Sequence, residues 1–142
     1  MIRIADEQRV LKLPVALLRS TARAVMRGER LAGDVSLAFV DNRRIREINR
    51  RFLGHDFATD VISFPLGGAA ELVISTEYAR AEARSRGIAV EEELRRYVVH
   101  GLLHLAGYDD HAPAARRKMW ARQESYVAST TGRPSRGRSR AP

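Results

Sequence analysis

His100 and His104 lie four positions apart, ahead of Gly107, in the run Tyr97-Val-Val-His-Gly-Leu-Leu-His-Leu-Ala-Gly-Tyr-Asp-Asp-His111. On a helix, residues four apart share one face, with Cβ atoms roughly 5–6 Å apart. Both imidazoles can then reach one cation at about 2.0–2.1 Å, the usual zinc–nitrogen distance. A metal held by three protein ligands, with one position left open to water, is the tool of a hydrolase.

The third ligand must come from beyond the helix. Gly107, three residues after the second histidine, can take φ > 0, end the helix and swing the chain back. The metzincin spacing, H-E-x-x-H-x-x-G-x-x-H, places its third ligand six residues after the second histidine. Mapped onto this chain it reads His100, His104, Gly107, Asp110, so the spacing nominates Asp110. His111, one residue later, is the alternative or additional ligand and the better nitrogen donor. Zinc proteases carry a glutamate after the first histidine as general base. Here that position is Gly101, which disfavours peptidase chemistry by that route.

The chain has 142 residues and no cysteine, so any metal must use His, Asp or Glu. That length suits one domain, expected over residues 1–130, with residues 131–142 as a disordered basic tail. The tail has no apolar group larger than alanine or proline and holds Arg133, Arg136, Arg138 and Arg140 without an acid. Net charge is +8, carried by 23 arginines and two lysines, and about half of it belongs to the tail. This balance favours phosphate-rich partners, which arginine binds in bidentate fashion. No apolar run approaches the roughly 18–20 residues of a membrane span, and no signal-peptide segment opens the chain. The expected setting is the cytoplasm.

Several elements must position these residues. Ile2–Ile4 alternates with polar neighbours and can open a strand. Pro14 suits the first position of a helix whose period (Leu17, Leu18, Ala22, Val25) runs to Gly28. Asp34–Val40 alternates as a half-buried strand. Asp41 or Asn42 can cap a helix that turns Ile45, Ile48 and Phe52 inward. Its other faces carry Arg43, Arg44, Arg46, Arg50 and Arg51, as a solvated or a phosphate-contacting surface.

Thr59–Phe64 and Glu71–Ser75 read as strands, Thr76–Arg86 as a helix ended by Gly87, and Val90–Ala106 as the metal helix. Glu91, Glu92 and Glu93 favour that helix's positive end. Leu94, Val98, Leu102 and Leu105 are expected inside, with His100 and His104 facing a cleft. Pro113 opens a last helix through Met119, Trp120 and Val127.

Three blocks carry a family likeness: His-Gly-Leu-Leu-His-Leu-Ala-Gly-Tyr-Asp109, Asn49 through Thr59-Asp-Val-Ile-Ser-Phe-Pro65, and Glu71-Leu-Val-Ile-Ser75. Together with Met119 in the last helix, they resemble the YbeY family of bacterial metal-dependent endoribonucleases, over about residues 30–128. The resemblance implies an α+β fold, a small mixed β-sheet of about four strands flanked by helices, with the metal-binding helix lining a cleft. It implies one zinc ion (Zn2+) per chain and hydrolysis of single-stranded RNA. The implied setting is 3′-end maturation of small-subunit rRNA and ribosome quality control, with the small ribosomal subunit as partner. The family usually has histidine immediately after Gly-Tyr-Asp, where this chain has Asp110 and then His111. The family's arginine after the tyrosine is Leu53 here, so its role is vacant or taken by a neighbour such as Arg50 or Arg51.

In the expected mechanism, water on the cation is acidified towards a pKa of about 7 and a phosphoryl oxygen is polarised. Either that hydroxide or the RNA 2′-OH attacks phosphorus. Arg50, Arg51 and His55 are the catalytic candidates beyond the metal's water, and Arg43, Arg44, Arg50 and Arg51 the RNA-binding ones. Thr59 and Asp60 read as structural and Tyr108 as a ring packed at the helix end. The main rival is a non-catalytic ribosome assembly factor with a structural metal, which would need four protein ligands. A hydrolase of small phosphoesters or amides would instead need a tight neutral pocket.

Overall fold

Alternation along Asp34–Val40 sends side chains to both faces of a strand, and both faces turn out to be covered. The computed structural model describes residues 1–131 of the chain. In order these form β1 (Ile2–Asp6), α1 (Val15–Glu29), β2 (Asp34–Val40), α2 (Asn42–Leu53), β3 (Val61–Pro65), β4 (Ala69–Ser75), α3 (Thr76–Arg86), α4 (Val90–Leu105) and α5 (Pro113–Ser129). The basic tail expected from residue 131 lies outside the described residues, apart from Thr131. Among the described residues no helix is long and apolar enough to cross a membrane.

The sheet has the order β1-β2-β4-β3. β1, β2 and β4 run parallel, and β3 is the antiparallel edge strand. It is therefore a mixed sheet within an α+β fold. Leu37 pairs with Leu72 and Phe39 with Ile74, so both pairs point to one face. There they join Leu18, Ala22 and Val25 of α1, Leu94, Val98 and Leu102 of α4, and Met119 and Val127 of α5 in the main core. The opposite face is smaller: Val40, Ile62 and Val73 pack against Ile45 of α2. Burying one such aliphatic side chain is worth about 1.5–3 kcal/mol, so the face carrying α1, α4 and α5 dominates stability.

Local chemistry explains the boundaries. Asp41, not Asn42, caps α2, its carboxylate accepting from the Arg44 amide at 2.9 Å, and Gly54 ends that helix at φ 73°. Ser75 caps α3 by accepting from the Tyr78 amide at 3.1 Å. Four local expectations are corrected. Pro14 is the residue before α1 rather than its first. Gly28 lies inside α1, where a Cβ would stand 2.0 Å from the Tyr126 hydroxyl, so it is kept small by a neighbour rather than ending the helix. Thr59 and Asp60 precede β3, the Asp60 carboxylate accepting from the Val61 amide at 2.7 Å. Phe52 is 64% exposed instead of inward: it borders an open groove of about 500 Å³ behind the sheet, its ring edge-on to Phe64 at 6.0 Å.

α4 is the most interior helix, touching α1, α3, α5, β3 and β4. Gly101 permits its approach to the sheet: a Cβ there would lie 2.5 Å from the Leu72 side chain. The Ser63 hydroxyl donates to the Gly101 carbonyl at 3.2 Å across this contact. Acids near the start of α4 do more than complement the helix dipole. Arg96, 7% exposed, donates to Glu92 at 3.0 Å and to Glu93 and Glu124 at 2.9 Å. Arg86 of α3 also reaches Glu93, at 3.0 Å. These hydrogen bonds tie α3, α4 and α5 together, and bonding to Glu124 above all raises the Arg96 pKa further above its ordinary value.

Candidate metal centre and cleft

α4 ends where its sequence demands. Gly107 has φ 102°, a conformation that side chains resist. The Gly107 amide donates to the His104 carbonyl and the Tyr108 amide to the Leu103 carbonyl, both at 3.0 Å. This double bond pattern is the Schellman motif, which reverses the chain at a helix end. Asp110 is thereby carried back to the histidines.

His100 Nε2 lies 3.1 Å from His104 Nε2, and His104 Nε2 lies 3.5 Å from Asp110 Oδ2. The three side chains offer ligand atoms that all fall within 4.8 Å of one another. Two nitrogens each at 2.0–2.1 Å from a tetrahedral zinc would stand about 3.3–3.4 Å apart, so the donor set fits such an ion. The proton on His100 is also placed. The Gln123 amide nitrogen donates to Glu124 at 3.0 Å, which turns the amide oxygen towards His100 Nδ1 at 2.8 Å. A carboxylate and an amide oxygen only accept, so Nδ1 carries the hydrogen and Nε2 of the neutral ring keeps its lone pair for a cation.

The structure separates His111 from this group. Its side chain is 91% exposed and its Nε2 lies 3.8 Å from Asp109. Asp109, Asp110 and His111 also have ligand atoms within 4.8 Å of one another, but that grouping is open to solvent at Asp109 and His111. Of the predicted ligands, the structure thus gathers His100, His104 and Asp110.

The histidines open onto a cleft of about 550 Å³. One wall is His100, His104 and Leu105, the second is β3 (Val61, Ile62, Ser63, Pro65), and the third is Asn49, Leu53, His55, Phe57 and Thr59. Leu105, expected in the core, is only half-buried and belongs to this wall. Asn49, 2% exposed, donates to the Phe57 carbonyl at 3.0 Å and fixes the loop that carries His55. Leu53 and His55 therefore face the metal helix across the cleft. Arg50 and Arg51 are exposed in the same last turn of α2 but do not line it. Arg43 and Arg44 stand at the far end of α2, where Arg44 pairs with Glu47. Tyr108 packs against the main core. A second cavity of about 290 Å³ touches His100 and Asp110 and is also lined by Trp120 and Arg116.

Sequence reasoning missed Gln123, Asn49 and Ser63. Each acts through a contact with an element distant in sequence, and a lone polar residue in a helix or strand carries no local sign of such a partner. Gly101 did carry one: a glycine inside a helical run points to a close approach.

A family model described as Endoribonuclease YbeY matches residues 3–131. The Endoribonuclease YbeY of Chlorobium luteolum is 41% identical over 121 residues, which cover 82% of this chain and 88% of that protein. The Endoribonuclease YbeY of an Anaeromyxobacter species is 40% identical over 139 residues, covering 92% of this chain and 72% of that protein. A Thermotoga maritima protein solved in solution superposes with a TM-score of 0.69 at 31% identity, over 93% of this chain and 90% of that one.

Proposed function

The chain belongs to the YbeY endoribonuclease family, and on that premise we propose that it cuts single-stranded RNA with a metal held by His100, His104 and Asp110. The proposed setting is cytoplasmic: 3′-end maturation of small-subunit rRNA and ribosome quality control, with the small subunit as partner. One zinc ion per chain is the proposed cofactor. The observation that carries this reading is the convergence of two Nε2 atoms and one carboxylate oxygen beside an open cleft.

Lewis acidity, which acidifies water and polarises a phosphoryl oxygen, is the chemistry zinc supplies at such a set. The protein's own residues do the rest. Gln123 holds the His100 ring in the tautomer that presents Nε2. Asp110 adds one negative charge, leaving a divalent site at +1 where three histidines would leave +2. Phe57, Val61 and Leu105 give the cleft apolar walls that displace water from the scissile bond. His55, on the wall that faces the metal helix, is the candidate to pass a proton to the leaving oxygen. Arg50 and Arg51 at the cleft's margin, with Arg43 and Arg44 farther along α2, are the proposed phosphate contacts. A structural metal would need a fourth protein ligand, and the neighbouring His111 side chain points into solvent.

The test is cleavage of a labelled single-stranded RNA by zinc-loaded protein, beside His104→Ala and an EDTA-stripped sample. Cleavage by the wild type that is lost in both controls supports the reading. Stoichiometric bound zinc without cleavage, on free RNA and on small subunits alike, would replace it with the non-catalytic assembly factor.

A further inference from the structure

His100 and Asp110 also border the second cavity, of about 290 Å³, which the proposed cleavage chemistry leaves unused. Its outer wall is Trp120, the chain's single tryptophan, which stays 54% exposed while Met119 and Gln123 on the same helix are buried at 1% and 4%. Arg116 lies one helical turn before Trp120, so the two share a face of α5. The Arg116, Arg117 and Lys118 side chains are exposed, with no hydrogen-bond or ion-pair partner among the described residues. No acid occupies the first turn of α5 to offset them. Glu93 at the cavity's base is neutralised by Arg86 and Arg96.

An aromatic face, a free guanidinium beside it and a wall shared with the candidate metal ligands form a consistent set. Aromatic side chains stack on bases without regard to sequence, and cations beside them track the phosphate backbone. A solitary exposed apolar residue would need no explanation, but Trp120 is flanked by unpaired cations and opens into a cavity. We propose that this cavity binds one nucleotide of the RNA, its base stacked on Trp120 and its phosphate held by Arg116, next to the bond that is cut. The proposal rests on the RNA-cleaving reading and adds to it a subsite formed by α5. Asp60 on the cavity wall favours placing the neutral base, rather than the phosphate, towards the interior.

Because the protein has one tryptophan, emission excited selectively from tryptophan reports on this position alone. The full-length, zinc-loaded protein is titrated with a fluorescein-labelled single-stranded 2′-O-methyl phosphorothioate oligonucleotide, which resists cleavage. Anisotropy of the label follows binding independently of the tryptophan. The expected result is a saturable change in Trp120 emission with the same midpoint as the anisotropy. Trp120→Ala should weaken binding roughly 5- to 150-fold, with Trp120→Phe recovering most of it. Arg116→Ala should lessen the salt dependence by about 0.7 in the slope of log K against log salt. Binding by anisotropy with unchanged Trp120 emission, and unchanged affinity in Trp120→Ala, would overturn the subsite while the RNA-cleaving reading stands. Absence of any binding by the wild type would overturn both.

Discussion

The amide oxygen of Gln123 lies 2.8 Å from Nδ1 of His100, and the amide nitrogen of the same residue lies 3.0 Å from the Glu124 carboxylate. One side chain on α5 thus sets the tautomer of a ring on α4. Partners of this kind typically cost 10–100-fold in metal affinity when removed. We expect Gln123→Ala to bind zinc about 10- to 100-fold more weakly, measured by competition with a chromophoric chelator. Unchanged affinity would show that the contact is packing alone.

The separation of Asp110 from His111 makes opposite predictions for neighbouring residues. Asp110→Ala should lower zinc affinity and RNA cleavage together. His111→Ala should leave bound zinc at one ion per chain and cleavage near the wild-type rate. Zinc content by elemental analysis, with cleavage assayed in parallel, checks both. The reverse pattern would make His111 the ligand.

Gly101 faces Leu72, which is fully buried. Gly101→Ala therefore forces a methyl group into a filled core, which costs about 1–3 kcal/mol. Helix propensity returns about 1 kcal/mol of that. We expect a net loss in urea unfolding, relieved in the Gly101→Ala/Leu72→Val double mutant. A single mutant as stable as the wild type would mean that Leu72 moves aside freely.

Acid should loosen the link between α4 and α5. Burial pushes the Glu124 carboxyl up, but hydrogen bonds from Arg96 and Gln123 outweigh it and hold it below its ordinary value of 4.5. A carboxylate depressed on folding stabilises the protein above its unfolded-state pKa, and the contribution is lost as pH falls through the folded-state value. Glu124→Gln should therefore be less stable than the wild type at neutral pH. The gap should hold down to about pH 4.5 and shrink below it. Urea midpoints over a pH series measure it; a gap that widens on acidification would contradict the assignment.

Leu53 lines the cleft and is 49% exposed, so a longer side chain has room. Leu53→Arg should tighten single-stranded RNA binding and steepen its salt dependence by about 0.7 in the log–log slope, one added phosphate contact. An unchanged slope would place the RNA path away from this wall.

The grouping of His100, His104 and Asp110 was legible because its geometry is local. Two histidines on adjacent turns, a glycine that can reverse the chain and an acid three residues later are fixed by helix periodicity and one φ angle. The strands and helices were legible in outline for the same reason. The placement of Asp110, rather than His111, beside His104 followed from spacing, and the reversal at Gly107 supplied the mechanism. What periodicity could not give was the identity of distant neighbours. Phe52 has helical phase for the core yet stays exposed, because the groove it borders behind the sheet is left open. Gln123, Arg96 and Ser63 owe their roles to elements that meet only after folding. The likeness to known endoribonucleases extended beyond these local rules, to a family match over residues 3–131.

Residues 106–112 lie between α4 and α5, outside both helices. This short link bears on ancestry as well as on geometry. It carries an acid and a histidine on consecutive residues, and the loss of Asp110 alone would bring the histidine to the sixth position after His104, where the acid now stands. Either helix could keep its place while the link absorbed the change. An anionic and a neutral ligand set are thus neighbours in mutational space, and a lineage could cross between them without rebuilding the fold.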